Sequence, residues 1–487
     1  MVKRTGEDSP SQPLKDGERQ VDDVDMIGTL EHEMGEFEDV WGDDLESDEE
    51  IVIAGDDDND DELLQQDDEK DMPLEPNASN VYLPSRPLGE NEVLEADQSA
   101  YELLHSVNVT WPSLSFDVIR DNLGEERQTF PQTVYFVTGS QADITKNNQL
   151  TILKLSQLYK THIDDDASDI SDDSNIDEDS LLESRTIPIN GGTNRVRVSP
   201  HYHHGTLVST WNETGKVYIY DIATHVSSFD VPGTVIHPEN NKPIHIISNH
   251  KTEGYAMDWS GLVPGKLATG DNDSKIYITS REEASWTTEK AFFGHAGSVE
   301  DLQWSPSEKS VFASSSSDST IKVWDVRNKK RSFALSVTAH PGTDVNVLSW
   351  NKKVSYLLAS GADDGAWSVW DLRNFKGENP SPVASFKWHT APITSIEWHP
   401  TEDSVIAVSG ADDQVTLWDL SVELDEEEEA SRKEMARNGA EIPNQLMFIH
   451  QGQESIKEVH WHPQIPGTVI TTALSGFNGS LLLCEID

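Results

Sequence analysis

The stretch from Phe293 to Asp325, FGHAGSVEDLQWSPSEKSVFASSSSDSTIKVWD, decides how this chain folds. It carries four markers: His295, Trp304, Asp318 and the pair Trp324-Asp325. The same markers return at His340, Trp350, Asp364 and Trp370-Asp371, and again at His389, Trp398, Asp412 and Trp418-Asp419. The leading tryptophans lie 46 and 48 residues apart, and each turn aspartate precedes its second tryptophan by six positions. A unit of that length returning at a steady interval signals a repeat architecture, in which each unit buries its apolar face against its neighbours.

Weaker copies flank the three. His250, Trp259 and Asp273 fit the pattern, although Thr279-Ser280 stands where Trp-Asp would be. An earlier unit ends at Tyr220-Asp221, and a last one holds His450 and Trp461. Upstream, SLSFDVIRD, TVYFVTGS and NQLTILKL read as three alternating strands. Together these markers resemble the WD-repeat family. The resemblance implies an all-β fold, a seven-bladed propeller of four-stranded antiparallel sheets around a central channel. It also implies a structural role for His295, Asp318 and Trp324, for His340, Asp364 and Trp370, and for His389, Asp412 and Trp418. A carboxylate that accepts from an imidazole, beside an indole N–H that donates, is how such buried polar groups are satisfied.

The final unit runs out at its third strand, which leaves an open edge. Ala100 to Val109, AYELLHSVNV, is apolar enough to supply the missing strand, so residues 100–109 are predicted to pair with the C-terminal sheet. The domain reading is therefore an acidic, largely disordered region over 1–80 and a propeller over 81–487. Two segments interrupt the propeller: an acidic disordered loop at 164–184 and an acidic insertion at 421–446 before the last unit.

The net charge is −52, and its placement is more informative than its size. Residues 1–76 hold 29 acidic and 5 basic side chains, residues 164–183 ten acids and no base, and residues 423–429 six acids and no base. Across 195–420 the balance is 27 acids to 20 bases. A nearly neutral body thus carries acidic appendages. Such charge blocks repel nucleic acid and anionic membranes and attract Lys/Arg-rich proteins. No direct nucleic-acid or membrane binding is expected, and the chain alone is expected to be a monomer. The single cysteine, Cys484, excludes a disulfide framework and fits a reducing compartment. No apolar run is long enough to span a bilayer.

Within the first acidic region, residues 35–53 read GEFEDVWGDDLESDEEIVI. Phe37, Val40, Trp41 and Leu45 are spaced as one face of a short helix, suited to folding on a partner. Expected partner contacts are Phe37 and Trp41 with Asp43, Asp44, Glu46, Asp48, Glu49 and Glu50, joined by Glu426, Glu427, Glu428 and Glu429 of the insertion. Ser47 and Ser174 each have an acid three residues on and are candidate phosphorylation sites that would deepen the charge.

Three longer stretches are more specific than a generic WD unit: QLMFIHQGQESIKEVHWHPQIPG at 445–467, LSFDVIRD at 114–121 and FEDVWGDDLESDEE at 37–50. They resemble the glutamate-rich WD-repeat protein family over nearly the whole chain from about residue 31. That resemblance implies a non-catalytic ribosome-biogenesis factor of the nucleolus and nucleus, with a cytoplasmic pool. Its implied role is assembly chaperone for a basic large-subunit ribosomal protein, protein three, before incorporation into pre-60S particles; histones are a further implied partner. The WPSLSFD start, Trp111 to Asp117, is similar to the histone-binding propellers of chromatin complexes, so a histone chaperone or chromatin scaffold stays open. So does a substrate receptor of a cullin-type ubiquitin ligase, because Trp324-Asp325-Val326-Arg327 and Trp370-Asp371-Leu372-Arg373 match a short motif of such receptors. No phosphate-binding glycine loop, Gly-x-Ser-x-Gly elbow or paired-cysteine metal site is present in the sequence. No enzyme, cofactor or metal is expected, and the run His201, His203, His204 lacks ligand spacing.

Overall fold

The computed structural model describes residues 100–161, 180–201, 206–283, 285–377, 380–422 and 442–474, and the backbone of 476–481. The chain divides into two units, Met1–Ala78 and Ser79–Asp487. All described residues lie in the second.

The first strand, β1 (Leu103–Val107), is set apart from those that follow it. Next come β2 (Ser115–Val118), β3 (Gln132–Gly139), β4 (Gln149–Leu158) and β5 (Leu181–Pro188), which form one antiparallel sheet. A second sheet comprises β6 (Thr193–Val198), β7 (Leu207–Asn212), β8 (Lys216–Asp221) and β9 (His245–Ile247). A third holds β10 (Met257–Trp259), β11 (Lys266–Gly270), β12 (Ile276–Arg281) and β13 (Trp286–Thr288). The three strong repeats follow. The first gives β14 (Val299–Trp304), β15 (Val311–Ser316), β16 (Thr320–Asp325) and β17 (Leu335–Thr338). The second gives β18 (Val345–Trp350), β19 (Leu357–Ala362), β20 (Trp367–Asp371) and β21 (Ala384–Phe386). The third gives β22 (Ile393–Trp398), β23 (Val405–Gly410), β24 (Gln414–Asp419) and β25 (Leu446–His450).

The expectation of seven blades is corrected at this point. Six blades, not seven, are runs of four consecutive strands. The remaining sheet is composite, ordered β1-β28-β27-β26, with β26 (Glu458–Trp461), β27 (Thr468–Ala473) and β28 (Gly476–Leu481). In it β1 runs antiparallel to β28, from Leu103 opposite Leu481 to Val107 opposite Phe477. The all-β expectation holds, with one short α-helix among the described residues. A helix, α1 (Ala223–Asp230), lies between β8 and β9 and packs toward β4.

The strand at the inner edge of each sheet touches its neighbours around a ring, and β2 meets β26 to close it. Apolar clusters fill the space between adjacent sheets. One joins Ala256, Ala268, Ile276 and Ile278 to Leu302, Trp304, Phe312 and Trp324. The register of four inner strands slips by one residue near their start, between Thr193 and Arg195, Val299 and Asp301, Val345 and Val347, and Ile393 and Ser395. A bulge re-aims the side chains that follow it, and in these four strands it precedes the channel-facing residue.

Candidate functional site

The repeat markers form buried chains of hydrogen bonds. Trp324 Nε1 donates to Ser314 Oγ over 2.8 Å, and that hydroxyl lies 2.7 Å from His295 Nε2. His295 Nδ1 is 2.9 Å from Asp318 Oδ2. Burial, opposed by the Asp318 contact, lowers the His295 pKa. The neutral ring therefore donates from Nδ1 and accepts at Nε2. The third repeat copies the chain through Trp418, Thr416, His389 and Asp412. A hydroxyl thus links indole to imidazole, a member that the four-marker reading omitted.

Two markers differ from expectation. In the second repeat, Trp370 Nε1 and His340 Nε2 meet on Ser360 Oγ, each at 2.9 Å. Asp364 instead accepts from the Ala366 N–H and lies 3.4 Å from Lys387. In the β10–β13 sheet, His250 Nδ1 is 2.8 Å from Asp271, not from Asp273, which pairs at the surface with Lys275. Asp271 occupies the start of the turn and also caps the N–H groups of Asp273 and Lys275.

The channel is built from one recurring position of the inner strands, which precedes the leading tryptophan in five sheets and Val118 and Val198 in the first two. Around the ring these residues are Asp117, Arg197, Asp258, Gln303, Ser349, Glu397 and His460. Several tie one sheet to the next by accepting a backbone N–H: Asp117 from Val198, Asp258 from Trp304, Gln303 from Trp350, Ser349 from Trp398 and Glu397 from Trp461. Tryptophan indoles lock the same seams, as Trp304 Nε1 donates to the Asp258 carbonyl and Trp461 Nε1 to that of Glu397. Two residues earlier on their strands, Arg195, Asp301 and Glu458 form a second tier. The channel mouth on the side of the Pro200, Pro306, Pro400 and Pro463 turns is a cavity of about 510 Å³.

Glu458 is the hub of this ring. Its carboxylate is fully buried, yet it meets Arg195 Nη1 and Arg197 Nη2 at 2.7 Å each and accepts the Phe116 N–H at 2.9 Å. One side chain of β26 thereby clamps β2 and β6 where the ring closes. Burial alone would raise the Glu458 pKa, but Arg197, His460 and Arg195 hold it well below the usual carboxylate range. His460 Nδ1 sits 2.9 Å from Glu397 Oε2. Burial would lower its pKa, yet Glu458 and Glu397 raise it to about 10. Asp258 lacks such a cation at contact distance, and burial raises it to about 7 despite the Trp304 N–H.

Other sequence candidates sit elsewhere. Arg327 and Arg373 are exposed and each forks onto its own aspartate, Asp325 at 2.7 Å and Asp371 at 2.6 Å. His201 bonds to the Ser260 carbonyl, while His203 and His204 lie outside the described residues. Phe37, Trp41, Asp43, Asp44, Glu46, Ser47, Asp48, Glu49, Glu50, Ser174 and Glu426 to Glu429 also lie outside them. Among the described residues no group of three or more His, Cys, Asp or Glu is arranged to hold a metal. The sequence reading missed the channel ring. Its signal was there in part: a polar residue stands directly before Trp259, Trp304, Trp350, Trp398 and Trp461, although Asp117 and Arg197 precede valines.

Sheets, marker networks and channel define the class: a WD-repeat propeller. The WD-domain G-beta-repeat profile matches residues 286–325, 331–371 and 380–419. A second profile, that of the histone-binding protein RBBP4 and its counterpart in the CAF1 complex, matches residues 91–159. The chain is 50% identical to ribosome assembly protein rrb1 of Schizosaccharomyces pombe over 98% of both chains. It is 45% identical to glutamate-rich WD repeat-containing protein 1 of Dictyostelium discoideum, over 80% of this chain and 82% of that one. It is 41% identical to the protein HEAT STRESS TOLERANT DWD 1 of Arabidopsis thaliana, over 80% and 88%. The chain belongs to the glutamate-rich WD-repeat family that includes ribosome assembly protein rrb1.

Proposed function

We propose that this chain is a ribosome assembly factor that works without catalysis, as a chaperone for a basic large-subunit ribosomal protein, protein three. The observation that carries the reading is 50% identity over 98% of both chains to a protein named for ribosome assembly. The charge pattern supports the choice of partner. A ribosomal protein before assembly exposes many Lys and Arg groups that bind stray polyanions. The acidic runs at 1–76, 164–183 and 423–429 neutralise it until ribosomal RNA, with its denser phosphate charge, displaces them. The propeller is the rigid platform for a defined segment of the client, and Phe37 and Trp41 grip an apolar spot on it. Phosphorylation at Ser47 and Ser174 strengthens the negative field. The work is done in the nucleolus and nucleus.

The test is affinity purification of the full chain with mass spectrometry. One basic large-subunit ribosomal protein in stoichiometric amount is the expected result; its absence overturns the reading. A second reading, histone binding, is favoured by the histone-binding profile over residues 91–159. Competition between purified histones and the free ribosomal protein at matched salt separates the two.

A further inference from the structure

The acid-rich chain carries one surface of the opposite kind. Four of its 36 cationic side chains fall within five positions, in the loop Arg327-Asn328-Lys329-Lys330-Arg331 between β16 and β17. The loop is a fixed turn. Arg331 N–H donates to the Asn328 carbonyl at 2.9 Å, and Asn328 Nδ2 donates to the Ser332 carbonyl at 3.0 Å. Lys329 and Lys330 are therefore its two exposed corners, and neither has an ion pair among the described residues. Arg327 and Arg331 are paired with Asp325 and Glu289, each at 2.7 Å. Arg331 also reaches the Lys290 carbonyl at 3.0 Å, which brings the exposed Lys290 alongside. Lys290, Lys329 and Lys330 are the cations of this corner with no ion pair among the described residues.

Two aromatic rings stand on the same surface. The Phe293 N–H donates to the Arg331 carbonyl at 3.1 Å, so this residue lies beside the turn with 57% of its surface exposed. Phe333, 41% exposed, lies over Gly294 and is already engaged, edge-on to Trp324 and with the Lys322 ammonium 5.0 Å from its ring centre, so Phe293 is the ring left open for stacking. Lysines set around an exposed aromatic ring on a rigid loop match what single-stranded nucleic acid requires: ammonium groups for phosphates and a π-face for bases.

We propose that this basic, aromatic corner binds single-stranded RNA, without sequence preference. The proposal goes beyond the chaperone reading and stands without it, because a basic client is repelled by Lys290, Lys329 and Lys330. An acidic protein segment is the weaker occupant. It has no bases to stack, and it must compete with the chain's own acidic runs, of similar charge density. A phosphate backbone adds counterion release, which those runs lack. The large negative net charge does not oppose this at short range, since the Debye length is about 8 Å at physiological salt.

The experiment is fluorescence anisotropy of a labelled 20-nucleotide single-stranded RNA of mixed sequence with the full chain, between about 0.05 and 0.2 M salt. Wild type should bind, with an affinity that falls as salt rises. Lys329→Glu/Lys330→Glu should weaken binding at least tenfold and flatten the log–log salt slope by about 1.4, the share of two phosphate contacts. Phe293→Ala should weaken binding about fivefold or more with the slope unchanged, as loss of one stacked base predicts. Melting curves matched to wild type show that the variants are folded. Three results overturn the proposal: no binding at the lowest salt, equal binding by the double-lysine variant, or displacement by a polyglutamate peptide at concentrations as low as unlabelled RNA requires.

Discussion

Glu458 shows how much one side chain carries in this ring. Its carboxylate faces two arginines and a backbone N–H in a site without water contact. Removing one partner of a buried pair strands the others, at a cost of about 3–5 kcal/mol. Glu458→Ala is therefore expected to lower the melting temperature sharply, and Glu458→Gln, which keeps an acceptor, to lower it less. Asp258 has the reverse sign. Its pKa in the fold, about 7, exceeds its unfolded value, so its contribution is complete below about pH 4 and is lost as pH rises through 7. Asp258→Asn should stabilise the protein at pH 8 by between about 1 and 4 kcal/mol, and the gain should vanish near pH 4. Chemical denaturation at the two pH values measures this; an equal effect at both contradicts it. His399 and His462 are pushed down by burial to about 4 and about 3. A histidine kept neutral in the fold costs stability once the unfolded state binds its proton. These two rings should thus destabilise the fold as pH falls below about 6.5, over the window in which Asp258 stabilises it, so the loss of stability in acid should be steeper in Asp258→Asn than in wild type; the same pH profile in both would contradict this assignment.

At the scale of elements, ring closure rests on β1 and the residues before it. Tyr101 Oη is 2.6 Å from His450 Nδ1, the position that a turn aspartate fills at His295 and His389. Tyr101→Phe leaves that imidazole nitrogen without its partner and should cost about 1–3 kcal/mol. Deleting 100–109 exposes the β28 edge and should lower the cooperative melting transition far more; an unchanged transition would mean that β1 is dispensable. Ser319 ends the β15–β16 turn at φ 65°, where the equivalent residue of the next repeat is Gly365. Relief of a left-handed non-glycine residue makes Ser319→Gly stabilising by up to about 1 kcal/mol. The strands from β14 to β24 were legible because their markers recur at fixed spacing. The His250–Asp271 pair was not, because the marker spacing selects Asp273, which follows His250 by the same interval that separates His295 from Asp318, and only the turn geometry gives the role to Asp271. Helix α1 was missed because its sequence, ATHVSSFD, has weak helix formers and no capping side chain. The polar ring in the channel escaped notice because motif reading fastens on the tryptophans and passes over the variable residue before each one.

The whole molecule separates two kinds of charge. The ring at 195–420 is almost balanced, and the acids of its channel are engaged by Arg195, Arg197, His460 and backbone N–H groups. Most of the uncompensated charge, −40 of −52, falls in 1–76, 164–183 and 423–429. Attraction between solvated charges weakens with salt, so the proposed hold on a basic client should weaken with it, whereas channel and marker networks are little affected. The most direct test of this division is the affinity of the full chain for the proposed client, the purified basic ribosomal protein, from about 0.1 to 0.5 M salt, a range over which the Debye length shortens from about 10 Å toward 4 Å. It should be measured beside a variant with Glu426, Glu427, Glu428 and Glu429 changed to Gln. The predicted result is a steep loss of wild-type affinity with salt and a weaker, flatter dependence in the variant, with melting temperatures equal. Identical affinity and identical salt dependence in the two proteins would contradict the account.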